Sequence, residues 1–150
     1  MSRNVRLGLA VLAFPAAFAC SDSTGPEAAA ELRIKVEPSM IAPGDTFVLA
    51  VAVINPTPRP MRLLSGCGGI LYWLNVSDGH TYLDGANHPC LTVAHAVELP
   101  PGGVVHQYRV RLARFDDEEI EPGVYRIEAE AMASQVDASG ARAELRVKED

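Results

Sequence analysis

The sequence predicts an all-β fold, an antiparallel β-sandwich of roughly seven to nine strands over residues 31–150. Three observations carry this expectation. Apolar residues recur with a period of two, the spacing that sends one strand face into a core and the other into water. The breaks between these segments fall at Pro-Gly pairs and Asp/Asn/Ser/Gly clusters, which is the chemistry of tight turns. Beyond the first 19 residues no stretch shows a convincing helical pattern.

Taken in order, Leu32, Ile34 and Val36 alternate with Arg33, Lys35 and Glu37. Phe47 to Ile54 is apolar on both parities, which suits a central strand covered on both sides, partly by a loop. Met61 to Leu64 is a short candidate, and Ile70 to Val76 and Val93 to Leu99 are two more. Tyr108, Val110 and Leu112 alternate with Arg109 and Arg111, and Tyr125 to Ala131 and Ala141 to Val147 repeat the pattern. Turns are expected at Ala42-Pro43-Gly44-Asp45, Pro100-Pro101-Gly102-Gly103 and Glu121-Pro122-Gly123, because proline presets the first turn angle and glycine accepts a positive φ at the next. Asn55 to Pro60, with three prolines, reads as a rigid connector. Ser77 to His80 and Asp137 to Gly140 read as loop or hairpin tips. Strands of this number and spacing fit the immunoglobulin type of sandwich.

The N-terminus carries an address. Arg3 and Arg6 precede a short apolar run, Leu7 to Ala19, too short to cross a hydrocarbon core that takes about 20 residues. Residues 1–19 therefore read as a signal peptide, and the chain as an exported one. Ala17-Phe18-Ala19 suits ordinary signal peptidase, and Ala17-Phe18-Ala19-Cys20 resembles a bacterial lipobox, with Ala17 where Leu is usual and Phe18 where a small residue is usual. On the second reading Cys20 is acylated, and residues 20–30 form a flexible linker to a lipid anchor in a bacterial membrane. The linker, Ser21 to Ala30, is small, polar and unable to bury enough apolar area to order itself.

Cysteine arithmetic points the same way. There are three cysteines, Cys20, Cys67 and Cys90. Acylation of Cys20 leaves one pair, and an oxidising compartment favours a Cys67–Cys90 disulfide. Closing a loop of about 24 residues contributes ~3 kcal/mol in the chain-entropy model. Two buried free thiols are the alternative.

The whole chain has a net charge of −6, from 13 basic and 19 acidic residues. Without Arg3 and Arg6, 11 basic residues stand against the same 19 acidic ones, a net charge of −8. Such a surface argues against nucleic acid or an anionic membrane as the recognised partner.

Three blocks resemble the BsuPI-like domains, the intracellular proteinase inhibitor family of Bacillus, which are immunoglobulin-like sandwiches. Leu74 to Tyr82 is similar to that family's strand–Asp-x-Gly–strand segment, Leu99-Pro100-Pro101-Gly102-Gly103 to its Leu-x-Pro-Gly-Glu turn, and Pro122-Gly123-Val124-Tyr125 to its Pro-Gly-x-Tyr strand start. The resemblance implies the same fold and an extracytoplasmic inhibitor as one functional expectation. Two departures weigh against carrying inhibition over: the tryptophan-rich stretch expected after the Asp-Gly turn is missing, and the Cys67/Cys90 pair is present instead.

Candidate chemistry is sparse. The four histidines, His80, His88, His95 and His106, lack metal-ligand spacing, although His95 and His106 would approach one another if their strands were neighbours across the Pro100–Gly103 turn. That pair underlies a third expectation, a small-ligand or metal carrier. Asp116 to Glu121 is the densest acidic run and lacks the spaced ligands and glycine of a calcium loop, so it reads as a solvated loop. Ser65-Gly66-Cys67-Gly68-Gly69 is neither a nucleophile elbow nor a phosphate loop. Asn75-Val76-Ser77 matches a glycosylation sequon, for which a bacterial lipoprotein has no use. Tyr72 and Trp73 follow the glycines, and aromatic residues are favoured interface anchors. In a strand the two point to opposite faces, one to the core and one outward. No metal, cofactor or catalytic residue is assigned. The leading expectation is a non-enzymatic, membrane-tethered domain that binds a protein or cell-envelope component.

Overall fold

The computed structural model describes residues 28–66, 71–86 and 93–149. The signal peptide, Cys20, Cys67, His88 and Cys90 lie outside them. Eleven strands are present among the described residues: β1 (Ala30–Glu37), β2 (Met40–Ile41), β3 (Thr46–Ile54), β4 (Met61–Ser65), β5 (Tyr72–Val76), β6 (Thr81–Asp84), β7 (His95–Leu99), β8 (Val104–Arg114), β9 (Gly123–Ala131), β10 (Val136–Asp137) and β11 (Arg142–Val147). The protein is an all-β sandwich. One sheet has the order β10-β1-β3-β8-β6 and the other β2-β11-β9-β5, with β4 and β7 forming a two-stranded third sheet.

Alternation does what the sequence demands of it. Leu32 and Val36 of β1, Phe47, Leu49, Val51 and Val53 of β3, and Val110 and Leu112 of β8 point inward. Tyr72, Leu74 and Val76 of β5, Ile127 and Ala129 of β9, and Leu145 and Val147 of β11 meet them in one buried cluster. Burial of each large side chain contributes about 1.5–3 kcal/mol. The opposite parities carry charge: Arg33 and Lys35 on β1, Arg109 and Arg111 on β8, Arg126, Glu128 and Glu130 on β9.

β3 is central, between β1 and β8. Its second apolar parity, Val48, Ala50, Ala52 and Ile54, is half-buried. Polar neighbours flank much of it in register, with Lys35 and Gln107 opposite Ala50 and Glu37 and Arg109 opposite Val48, while the exposed Val105 lies opposite Ala52. Long polar side chains cover apolar surface with their stems and keep their heads in water.

Of the two segments expected as loop or hairpin tips, both are loops, and each crosses between the sheets rather than closing a hairpin. The turn after β5 leads to β6, which pairs with β8 and not with β5. The turn after β10 leads to β11, which pairs with β9. The local chemistry is what the sequence suggested, since Asp78 accepts bonds from the amides of His80 (3.0 Å) and Thr81 (2.9 Å) and from the Thr81 hydroxyl (2.6 Å). Partner choice is set by the inward parity of each strand, not by the turn.

The connector after β3 is organised by Asn55, which is 2% exposed. Its Nδ2 donates to the carbonyls of Arg59 (2.8 Å) and Leu99 (3.1 Å), and its Oδ1 accepts from the Thr57 amide (2.9 Å) and hydroxyl (2.8 Å). Beside it, Gly103 at φ +86° presses on β3, and a Cβ there would lie 1.9 Å from the Val53 carbonyl oxygen. Only glycine allows that approach. At the start of β9, the Tyr125 hydroxyl donates to the Glu121 carbonyl at 2.7 Å and ties the incoming loop to the strand.

Candidate binding face on the four-stranded sheet

The aromatic pair Tyr72 and Trp73 is divided between core and surface. Tyr72 is 5% exposed and points between the sheets. Its hydroxyl lies 2.6 Å from His106 Nδ1 and 2.7 Å from the Tyr108 hydroxyl, both on β8. Burial, reinforced by the bond to Tyr108, pushes the Tyr72 phenol well above its ordinary value and keeps it neutral. The cluster pins β5 to the opposite sheet. Tyr72 therefore contributes no surface of its own, and of the expected pair only Trp73, itself half-buried, faces outward.

Trp73 lies on the outer face of β5, in register with Glu130 of β9, while Asn75 lies opposite Glu128. Side chains so paired stand about 5 Å apart at Cβ. Glu128 in turn faces Arg142 of β11. Glu130 lies beyond that pairing and is exposed, with Trp73 as its cross-strand neighbour. Where β9 runs on past the start of β11, a shallow hollow of about 310 Å³ opens between Glu130, Ala131, Ala138, Ser139 and Arg142. An indole, an exposed carboxylate and a hollow thus adjoin on one sheet face.

The direction of the β5 backbone adds a further element. The Met132 amide donates to the Leu71 carbonyl (2.8 Å), and the Ser77 amide to the Arg126 carbonyl (3.1 Å). In an antiparallel ladder, residues in such pairs alternate with residues whose N–H and C=O point the other way. The polar groups of Trp73 and Asn75 therefore face β9, and those of Tyr72, Leu74 and Val76 face away from it. Among the described residues no strand pairs with that edge.

Other sequence candidates do not converge. β7 pairs with β4, whereas β8 pairs with β3 and β6, so the strands of His95 and His106 are not neighbours. The His106 Nδ1 is engaged by Tyr72. In the acidic run, Asp116 accepts two bonds from Arg114, at 3.0 and 3.1 Å, and Glu118 lies 3.5 Å from the same guanidinium. Among the described residues no three His, Cys, Asp or Glu side chains gather as metal ligands. Next to the acidic run, Phe115 is 69% exposed and leans on Tyr82 with ring centroids 4.6 Å apart. A larger recess of about 930 Å³ lies beside Ala28 and Ala29, bordered by Arg59, Arg62 and Gln135, with Glu98 in register opposite Arg62.

The sequence singles out Trp73 and not Glu130, its cross-strand neighbour. The alternation around Glu128 and Glu130 showed that both face water, but only the β5–β9 register tells which of them meets the indole. The Tyr72–His106–Tyr108 cluster joins residues 34 and 36 positions apart in sequence, and no spacing rule marks it.

No protein-family model matches the chain, and no curated protein matches it. Among solved structures it is similar to the Pseudomonas fluorescens alkylpurine DNA glycosylase AlkC bound to DNA containing an abasic-site analogue, with a TM-score of 0.39 and 16% identity over 81% of this chain and 31% of that one. It is also similar to a β-glucosidase from Listeria innocua in complex with gluconolactone, with a TM-score of 0.39 and 15% identity over 80% of this chain and 16% of that one. The chain thus spans less than a third of the length of either.

Proposed function

We propose that this chain is the non-catalytic, immunoglobulin-like domain of a bacterial lipoprotein, tethered through Cys20, and that it binds a protein or cell-envelope component. The observation that carries the binding reading is Trp73, held outward beside the exposed Glu130 on a strand whose far edge has no partner among the described residues. Large aromatic side chains at such positions are the usual anchors of interfaces.

The immunoglobulin-like assignment is supported by the strand order. The first, third, eighth and sixth strands form one sheet, and the second, eleventh, ninth and fifth the other, which is the order expected of that topology once β4, β7 and β10 are set aside as additions. The Tyr125 bond to a carbonyl four residues upstream, at the start of β9, accords with the tyrosine corner of such domains. The Cys67–Cys90 disulfide is supported by the pairing of Ser65 with His95, described residues two positions after which, and five before which, the cysteines fall in sequence. Ala30, where the chain arrives from Cys20, lies at the same end of the sandwich as Trp73, since Ala30 pairs with Val136 and Tyr72 with Ala131. Ten linker residues reach about 35 Å at full extension, so the face would work close to the membrane.

The test is recovery of partners from envelope extracts with the mature lipoprotein and its Trp73→Ala form. One or more components bound by the first and lost from the second is the expected result. Identical recoveries would remove the Trp73 face from the reading. Intact mass of the protein from native membranes reports acylation of Cys20 and oxidation of Cys67 and Cys90 together. A free, unmodified Cys20 would end the tether and leave the binding face untouched.

A further inference from the structure

We propose that the partner docks by strand addition: an extended protein segment pairs with the backbone of Tyr72, Leu74 and Val76 and lays a lysine or arginine across Trp73 toward Glu130. This rests on the reading above that the Trp73 face binds a protein, and it names how.

The first support is the edge itself. The two larger sheets have four edges, three of them blunted, and the two strands of the small third sheet carry Arg62 and Glu98. β10 and β2 are two residues long, and β6 is four residues long with Asp84 bound to Arg111 at 2.8 Å. Shortness and charge are the ordinary protections against unwanted pairing. β5 has neither. Its sequence is Tyr-Trp-Leu-Asn-Val, without a charge or a proline, and three of its five residues offer their N–H and C=O away from β9. An extended segment satisfies those groups through its own backbone and needs no particular sequence to do so.

The second support is charge. On the outer face the β5 edge is backed by Glu128 and Glu130. Arg142 stands opposite Glu128 and no β11 residue stands opposite Glu130. Neighbouring strands lie about 4.8 Å apart, so an added strand would run roughly 10 Å from β9. A lysine or arginine side chain crosses that distance only by lying over the residue between them, which is Trp73. The indole face then meets the cation and Glu130 its charge. An acidic segment at the same place would set like charges together.

The third support is rigidity. The Tyr72 hydroxyl is held by two groups of β8, so the edge is fixed before a partner arrives. A fixed edge loses little freedom on binding.

Trp73 is the only tryptophan in the chain, so its fluorescence reports on this face alone. The mature chain carrying Cys20→Ser, which stays in solution, is titrated with two blocked octapeptides, one alternating lysine and valine and one alternating glutamate and valine. The lysine peptide is expected to shift Trp73 emission in the submillimolar range and to slow amide exchange at Leu74 and Val76 at least about tenfold. The Glu130→Gln form is expected to bind it about fivefold or more weakly, and the glutamate peptide to do neither. Equal behaviour of the two peptides overturns the charge assignment. Binding of the lysine peptide without protection of Leu74 and Val76 overturns strand addition. Protection of the same amides on raising protein concentration alone assigns the edge to a second copy of the chain and overturns the proposal. Should a component be lost from the Trp73→Ala recovery while both peptides fail, the docking mode falls and the binding face stands.

Discussion

β3 and β5 are built from similar material and end in opposite circumstances. Both are apolar on both parities through most of their length. β3 is flanked on both sides, pairing with β1 from Val48 to Ile54 and with β8 from Thr46 to Val53. Much of its surplus of apolar side chains on the outer face is flanked by arginine, lysine, glutamate and glutamine. β5 has β9 on one side and no described strand on the other. Its outward tryptophan is flanked by one carboxylate. An apolar surplus in a central strand is a consequence of burial. The same surplus at an open edge is surface left over for another molecule.

If that contrast is sound, damage around β3 costs stability and damage on the outer face of β5 costs binding. The largest effect is expected at Gly103, where an alanine Cβ would meet the Val53 carbonyl oxygen at 1.9 Å in a backbone conformation of φ +86°. Gly103→Ala should destabilise the fold by about 3 kcal/mol or more, read as a shift of the denaturant midpoint. A loss below about 1 kcal/mol would mean that the turn moves freely against β3. Next comes Asn55→Ala, which strips partners from the Leu99 and Arg59 carbonyls and from Thr57. It should cost about 2–3 kcal/mol, because buried groups are left unpaired. Trp73→Ala should cost less than about 1 kcal/mol in the same experiment while abolishing recovery of the partner. A Trp73→Ala form as unstable as Asn55→Ala would make the indole a structural residue like those of β3.

The smallest expected effect is at the turn after β5. Burial alone would raise the Asp78 carboxyl, but the bonds from the Thr81 hydroxyl and the His80 and Thr81 amides outweigh it, with the positive side of His80 adding to them, and hold it below its ordinary 3.8. A carboxyl depressed in the folded state favours folding above its unfolded value and loses that contribution as pH falls through the folded one. Acid unfolding below about pH 4 should therefore be less steep in Asp78→Asn than in the parent, with stabilities at pH 7 differing by less than about 1 kcal/mol. Superimposable acid transitions would show that the turn carries no linkage. Changes at Asp78 should leave the β5 edge and its partner unaffected, because β5 is registered by β9 and by Tyr72.

Much of this architecture was written in the alternation. The strands at Leu32, Tyr108, Tyr125 and Ala141 follow from period two, and the centrality of β3 follows from its double apolar parity. The periodicity does not mark β6, because Thr81 to Asp84 is only four residues long and carries a threonine inward, and only the resemblance to a strand–Asp-x-Gly–strand segment implies it. The partner choice at the turns after β5 and β10 escaped because turn residues specify a reversal, and long-range burial specifies which sheet receives the next strand. Of the proposed binding face, the sequence marks the indole and the two-face rule that separates it from Tyr72. The place of Glu130 beside the indole, the tyrosine–histidine anchor and the open edge depend on register between segments more than 30 residues apart, which no local pattern encodes.

The contrast between the two strands is tested most directly by amide exchange in the free protein, resolved residue by residue. The amides of Leu49, Ala50 and Val51 should all exchange slowly, and those of Trp73 and Asn75 with them. Leu74 and Val76 should exchange faster than Trp73 and Asn75 by at least about tenfold, as groups that face no strand. Uniform protection from Tyr72 to Val76 would contradict the open edge and, with it, the surface offered to a partner.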